Sequence, residues 1–445
     1  MRSYPKYKPS GVNWIEEIPE NWIFTKLKFL TNQIVDGTHF TPEYLDDGIP
    51  FLRVTDIKES CFDLSDIKKI SYKEHKELSK RCKPEKGDLL LSKNGTIGRT
   101  IIVDWDYEFS IFVSLCLIKF KKVFLAKFAD YVFKSNLFDQ QISDNAKAVT
   151  IQNLHLEKIK EFEIVFPSLS EQQQIADFLD YKTEQCDRFI ANRQKQIELL
   201  NEQKASIINK AVTKGINPNV KMKASGIDLI GEIPENWGVW KLKFLTNKIG
   251  SGVTPLGGSQ VYKTEGVAFF RSQNIYNDRF ELSNISFIDE ETHQDMQNSQ
   301  VKIGDILLNI TGASIGRCFL FSGEYPEANV NQHVCIIRAN KKIMFQFLHS
   351  VMISEIGQNQ IFSKQSGTNR EGLNFEQLKN FDVPLPSERE QIKILDFIKK
   401  ETSTIETLIS KYQKQIELMQ EYRTALISQA VTGKIDVREW KPKTK

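Results

Sequence analysis

Two glycine-bearing loops carry the residue types best suited to gripping an anionic partner. Residues 87–99 read Gly-Asp-Leu-Leu-Leu-Ser-Lys-Asn-Gly-Thr-Ile-Gly-Arg, and residues 304–317 read Gly-Asp-Ile-Leu-Leu-Asn-Ile-Thr-Gly-Ala-Ser-Ile-Gly-Arg. In each, an apolar strand enters a loop with paired glycines, Gly95 and Gly98 or Gly312 and Gly316, that closes on Arg99 or Arg317. Glycine permits positive φ or a close backbone approach, and the arginine fork can hold a phosphate with two bonds. Lys93, Asn94 and Thr96 in the first loop, and Thr311 and Ser314 in the second, supply further polar groups. The plainer alternative is a β-turn whose glycines serve only the turn. A second pair sets Phe51-Leu52-Arg53-Val54-Thr55-Asp56 against Phe269-Phe270-Arg271-Ser272-Gln273-Asn274. Arginine suits guanine and Asn or Gln suits adenine at base edges, so Arg53, Asp56, Arg271, Gln273 and Asn274 are candidate readers; equally, either arginine can be a buried ion-pair partner. A third pair of turns presents Thr38 and His39 in one copy and Ser251 and Thr254 in the other, and a fourth, Lys147 to Gln152 against Gly367 to Arg370, contributes Asn369 and Arg370.

Catalytic patterns are missing. There is no H-E-x-x-H, no N-P-P-[YF] tetrapeptide and no G-x-G-x-x-G. Residues 312–317 are too short for a phosphate loop and lack its lysine. The six histidines show no metal-ligand spacing and the six cysteines form no C-x-x-C pair. No metal, no cofactor and no chemistry are therefore expected in this chain alone. Scattered cysteines suit a reducing compartment, and the absence of a signal-like or membrane-length apolar run points to the cytoplasm.

The elements that position these loops come in two copies. Glu17-Ile18-Pro19-Glu20-Asn21-Trp22 returns 215 positions later as Glu232 to Trp237, and Lys195-Gln196-Ile197-Glu198-Leu199 returns 219 positions later as Lys414 to Leu418. A period near half of 445 residues means one complete unit duplicated, with approximate two-fold symmetry expected. Each copy begins with an α+β part, in which Leu115 to Phe120, Val334 to Arg338, Asp88 to Leu91 and Asp305 to Leu308 read as strands, and Ala126 to Phe138 and Met344 to Ile356 as helices. The middle of the copies matches poorly: Cys61 to Lys80 shows little likeness to Arg279 to Gln297. A proline-marked boundary then opens a long proline-free helix, with Ser170 or Ser387 as the expected N-cap. Along these helices Cys186, Ile190, Arg193, Ile197, Leu200, Lys204, Ile207 and Ala211 step by four and three, as do Ile405, Ile409, Tyr412, Ile416, Met419, Arg423, Leu426 and Ala430. That is one heptad seam kept twice, predicting that the helices pack on each other. About 42 residues of helix span roughly 63 Å. The expected division is 1–166 and 221–384 as globular parts, with 167–220 and 385–445 as helical regions. Net charge is only +3, which neither requires nor excludes nucleic acid.

The duplicated Ile-Pro-Glu-Asn-Trp, the Gly-Asp-[Leu/Ile]-Leu-Leu strand with its Gly-Arg loop, and the Pro-x-x-Ser-Glu-x-x-Gln-Ile boundary together resemble the specificity subunit of type I restriction-modification enzymes, over almost the whole chain. The resemblance implies two target recognition domains, each reading one half of a bipartite duplex DNA site, and two helices forming an antiparallel coiled coil that sets the gap. It further implies two modification subunits carrying S-adenosylmethionine, and restriction subunits using ATP and magnesium, with no membrane partner. A fused enzyme with its own methylase, a two-headed scaffold that does not bind DNA, and an orphan DNA-binding relative are the rivals.

Overall fold

The computed structural model describes residues 2–12, 14–58, 61–146, 153–277, 279–363 and 372–442. It contains two compact units, Met1–Gln194 with Gln413–Lys445, and Lys195–Tyr412. This division falls within the two long helices.

In the first unit, a four-stranded antiparallel sheet has the order Thr31–Asp36, Leu115–Phe120, Leu89–Ser92, Thr100–Ile102. Its inner strands are buried on both faces, which is why they read as unbroken apolar runs. Leu89, Leu91, Cys116 and Ile118 face a core containing Phe128, Phe138 and Phe162, while Leu90, Leu115 and Leu117 face a second core with Leu52, Phe109 and Ile111. Beside it lies a three-stranded sheet in which Ile49–Leu52 pairs antiparallel with Lys68–Ile70 and parallel with Ser110–Ile111. The expected helix over 126–138 is two, Ala126–Phe133 and Asn136–Ala146.

The second unit repeats this topology. Thr246–Ser251, Val334–Ala339, Asp305–Asn309 and Cys318–Leu320 form the four-stranded sheet, and Ser286–Ile288, Val267–Phe270 and Ala328–Val330 the three-stranded one. Here the structure corrects the expectation that the middle segments differ. Phe62-Asp63-Leu64-Ser65 and Phe280-Glu281-Leu282-Ser283 lead into matching strands, Lys68–Ile70 and Ser286–Ile288, then matching helices, Tyr72–Ser79 and Glu290–Asp295. His75 and His293 are buried at the same place in each. The likeness was hidden because its anchors are single residues separated by freely varying surface positions.

The long helices are Leu169–Lys214 and Glu388–Val431. Ser387 stands at the start of the second as expected, its carbonyl accepting from Glu390 and Gln391. For the first, the cap is Ser168 rather than Ser170: Ser168 Oγ accepts from the Glu171 amide and its carbonyl from Gln172. Within the first unit the start of one helix pairs antiparallel with the end of the other. Arg423 meets Asp187 at 3.1 Å, while Trp440, past the helix end, stacks edge-on against Phe178 and accepts from Gln174 at 2.6 Å. Within the second unit Lys204 meets Glu406 at 2.6 Å. The heptad positions are buried or half-buried and most of their flanks are exposed, as a two-helix seam requires, while Ile208, Val212, Ile427 and Val431 beside the last turns are buried in the globular cores.

The duplicated tryptophan locks each pairing. Trp22 is fully buried, and its Nε1 donates at 3.1 Å to Glu171 Oε1, the oxygen that also accepts from Tyr4 Oη at 2.6 Å. Gly433, at φ 72° beyond the second long helix, packs on Pro19 and Trp22; Gly215, at φ 73° beyond the first, packs on Pro234 and Trp237. Among the described residues Trp237 Nε1 has no partner, and Glu390 bonds only the exposed Asn236 at 3.1 Å. Glu171→Ala is therefore expected to leave two buried donors unpaired and lower stability by about 3 kcal/mol, against less than about 1 kcal/mol for Glu390→Ala, a contrast that urea denaturation measures directly.

Candidate nucleic-acid interface

The three described loop pairs converge in each unit at one end of the four-stranded sheet. In the first unit, the Val54 amide donates to Ser114 Oγ at 3.2 Å, the Lys93 amide to the Ser114 carbonyl at 2.9 Å, and Val113 to the Thr38 carbonyl at 2.9 Å. Ser92 Oγ closes the glycine loop, donating to the Thr96 carbonyl at 2.6 Å and accepting from the Arg99 amide at 2.8 Å. Arg99 reaches across to the Ile57 carbonyl at 3.2 Å. In the second unit Asn309 Nδ2 holds the Ser272 carbonyl at 2.8 Å and Ser314 Oγ at 3.1 Å, joining the two loops.

Gly95, Gly98, Gly312 and Gly316 all have φ between 68° and 91°, the region that favours glycine. Gly37 and Gly252 are required by crowding, since a Cβ at either would overlap the carbonyl oxygen of Ile111 or Val330. The fourth pair, with Asn369 and Arg370, lies outside the described residues. Its described neighbours touch the loops: Leu154 donates to the Lys93 carbonyl and Leu373 to the Ile310 carbonyl, each at 2.8 Å.

Burial sorts the candidates. His39, Thr96, Thr254 and Gln273 are exposed, with Arg53, Asn94, Arg99, Ser251, Arg271, Thr311, Ser314 and Arg317 half-buried. Thr38, Asp56, Lys93 and Asn274 are buried, which corrects their assignment as groups offered to a partner: their side chains hold the loops. Asp56 accepts from the Arg53 backbone at 2.7 Å and pairs its guanidinium at 2.9 and 3.2 Å, which raises the arginine further above its ordinary pKa. Asn274 caps the same turn in the second unit, accepting from the Arg271 amide at 2.9 Å and donating to the Glu281 carbonyl at 3.0 Å.

The chemistry at this common position differs sharply between the units. In the first, Asp36 gathers Lys93 at 3.0 Å, His39 at 3.2 Å and Arg81 at 2.7 Å. Burial by itself would push the Asp36 carboxyl up, yet the bonds from Lys93 and His39 outweigh it and hold it below the usual carboxylate range. In the second, a neutral network replaces the ions. Thr254 Oγ1 donates to Gln332 Oε1 at 2.6 Å, Gln332 Nε2 lies 3.0 Å from His333 Nε2, and His333 Nδ1 lies 2.6 Å from Thr311 Oγ1. Arg317 lies over the Tyr276 ring at 4.3 Å. Gln332, His333, Tyr276 and Arg81 escaped the sequence reading because nothing in their local spacing marks them; only the Asn-Gln-His between two strands offered a signal. One group of possible metal ligands, Glu290, His293 and Glu327, has its atoms within 4.8 Å of one another, but His293 Nδ1 already meets Asn329 Oδ1 at 2.5 Å.

Asp36→Asn is expected to cost about 3 kcal/mol at neutral pH, because it strands the buried Lys93. The wild-type carboxyl, held low when folded, contributes stability above its unfolded pKa of about 3.9 and loses it as pH falls through the lower folded value. Urea midpoints should thus converge for wild type and variant below about pH 4; a gap independent of pH would refute the ion pair as its source.

Residues 19–199 and 234–418 each match the type I restriction modification DNA specificity domain. The chain is 27% identical to the type I restriction enzyme MjaVIII specificity subunit of Methanocaldococcus jannaschii, over 90% of this chain and 86% of that one. It is 23% identical to the EcoBI specificity subunit of Escherichia coli, over 97% and 90%. A solved chain from a study of the complex assembly and conformational transition of the type I R-M system shares the fold, with a TM-score of 0.62 at 13% identity, covering 94% of this chain and 99% of that one. Converging loops on a duplicated scaffold and a double match spanning most of the sequence agree: this chain belongs to the type I restriction modification DNA specificity family, whose domain it carries twice.

Proposed function

We propose that this chain is the DNA sequence-specificity subunit of a type I restriction-modification enzyme, with each globular part reading one half of a bipartite duplex site. The observation that carries this is one scaffold used twice with different chemistry at the same loop position, ionic around Asp36 and neutral around His333. A two-headed scaffold for identical partners would gain nothing from that difference; two readers of different half-sites require it. The paired helices would fix the unread gap between halves.

The chain does no chemistry itself in this proposal. Methylation would be supplied by two modification subunits binding S-adenosylmethionine, and cleavage by restriction subunits using ATP and magnesium, in the cytoplasm. Among the described residues no helix is long and apolar enough to cross a membrane. Two copies of one modification subunit are favoured by apolar side chains exposed at repeat-related positions: Phe29 and Phe244 at 59% and 52%, Leu199 and Leu418 at 54% and 51%. Exposed apolar surface at equivalent places suits equivalent partners.

Co-expression with a methylase subunit encoded beside this gene, followed by methylation mapping, is expected to reveal a split motif with adenine methylated in both halves. Exchanging residues 20–160 or 235–380 should change one half each. A stable complex that leaves DNA unmodified would favour the scaffold or orphan alternatives.

A further inference from the structure

The two units present the same arginine in opposite electrostatic states. Arg53 and Arg271 occupy equivalent turns and each donates from Nη2 to a backbone carbonyl at 3.2 Å, that of Asp66 in one unit and Asn284 in the other. Around Arg53 stand the carboxylates of Asp56, at 2.9 Å, and Asp66, at 3.9 Å. Around Arg271 the equivalent residues are Asn274 and Asn284. The nearby Asp36 is likewise replaced by Ser251. The two carboxylates that meet Arg53 have thus become amides in the second unit, with the capping geometry kept.

Among the described residues Arg271 has no carboxylate partner, and its Nε is buried without a hydrogen bond. Its guanidinium lies 5.5 Å from the centre of the Tyr262 ring. Arg317, across the loop junction held by Asn309, stacks on Tyr276, where the first unit has Lys58. An aromatic face orients a guanidinium while leaving its in-plane N–H groups for an anion. A half-buried cation with no counter-charge is costly to keep unless an anion arrives to meet it.

Taking duplex DNA as the target proposed above, we propose that Arg271 and Arg317 bind backbone phosphodiesters, so that the second unit supplies more of the electrostatic grip than the first, where Asp56 has already neutralised Arg53. Phosphate contacts act on all sequences alike and release counterions, whereas base contacts discriminate between sequences.

The test is fluorescence anisotropy of the full chain with its methylase partner, on a duplex bearing the mapped site and on an unrelated duplex, across a salt series. Arg271→Gln and Arg317→Gln should each weaken both duplexes alike and flatten the plot of log affinity against log salt by about 0.9, about threefold in affinity between roughly 50 and roughly 200 mM salt. Arg271→Lys, which keeps the charge, should restore the slope. Arg53→Gln should leave it unchanged, and Asp56→Asn should steepen it by freeing Arg53. Asn274→Asp should flatten it as Arg271→Gln does. Loss confined to the cognate duplex with an unchanged slope would make the pair base readers and overturn the proposal, as would Arg53→Gln flattening the slope as much as Arg271→Gln. A wild-type complex without salt-dependent duplex binding would defeat the assignment of DNA as the target itself.

Discussion

Each compact unit is completed by a helix end that belongs to the other copy. Trp22 belongs to the first copy, but the glycine and the last helical turn packed near it, Gly433 with Ala430 and Val431, belong to the second. Trp237 likewise rests on Gly215, at the end of the first copy's helix. This exchange is the constraint on which the fold depends. Each globular part is completed by the start of its own long helix and the end of the other, so the seam is built into both cores rather than laid between finished domains. Toward the middle of the long helices Ile190, Ile197, Ile409 and Ile416 are only half-buried.

That anchoring leaves the loops free to vary. The strands feeding them, Leu89–Ser92 and Asp305–Asn309, are buried along their whole length, so the turn that follows starts from a rigid point. Bonds from Ser92 in one unit and Asn309 in the other then close the loop. On this base one unit builds an ionic cluster and the other a neutral one stacked with aromatics. A scaffold whose packing does not depend on the loop chemistry is what allows that chemistry to differ.

Much of the fold was legible in the sequence because it is periodic or repeated. An unbroken apolar run over Leu115 to Ile118 announced the central strand, steps of three and four announced the seam, and recurrence of Gly-Arg announced the loops. Caps were less legible. Ser168 and Ser170 both precede glutamine or glutamate, and only the backbone geometry chooses between them. The likeness of residues 61–80 to 279–297 rests on six scattered identities, Phe62, Leu64, Ser65, Ile67, Ile70 and His75 matching Phe280, Leu282, Ser283, Ile285, Ile288 and His293, and it runs at an offset that the opening motif does not share. At the site, the loops were found but not the fate of their side chains. Whether Lys93 faces a partner or Asp36 depends on a residue on another strand, and no local pattern records that. Asp56 and Asn274 illustrate the same limit: each looks like a reader, and each is fully engaged in holding a turn.

Chain exchange between the copies also dictates an order of assembly during synthesis. The second unit, Lys195–Tyr412, is continuous in sequence and holds its core residues by the time Ile398 has been made. The first unit, although it leads the chain, includes Leu426, Val431 and Val437 in its core and pairs Arg2 with Asp436. Its tryptophan pocket therefore waits, incomplete, while some four hundred residues follow it from the ribosome. The part translated first is the part that finishes last, and the exposed apolar face of its unfinished core is the stretch that most needs shielding in the interval.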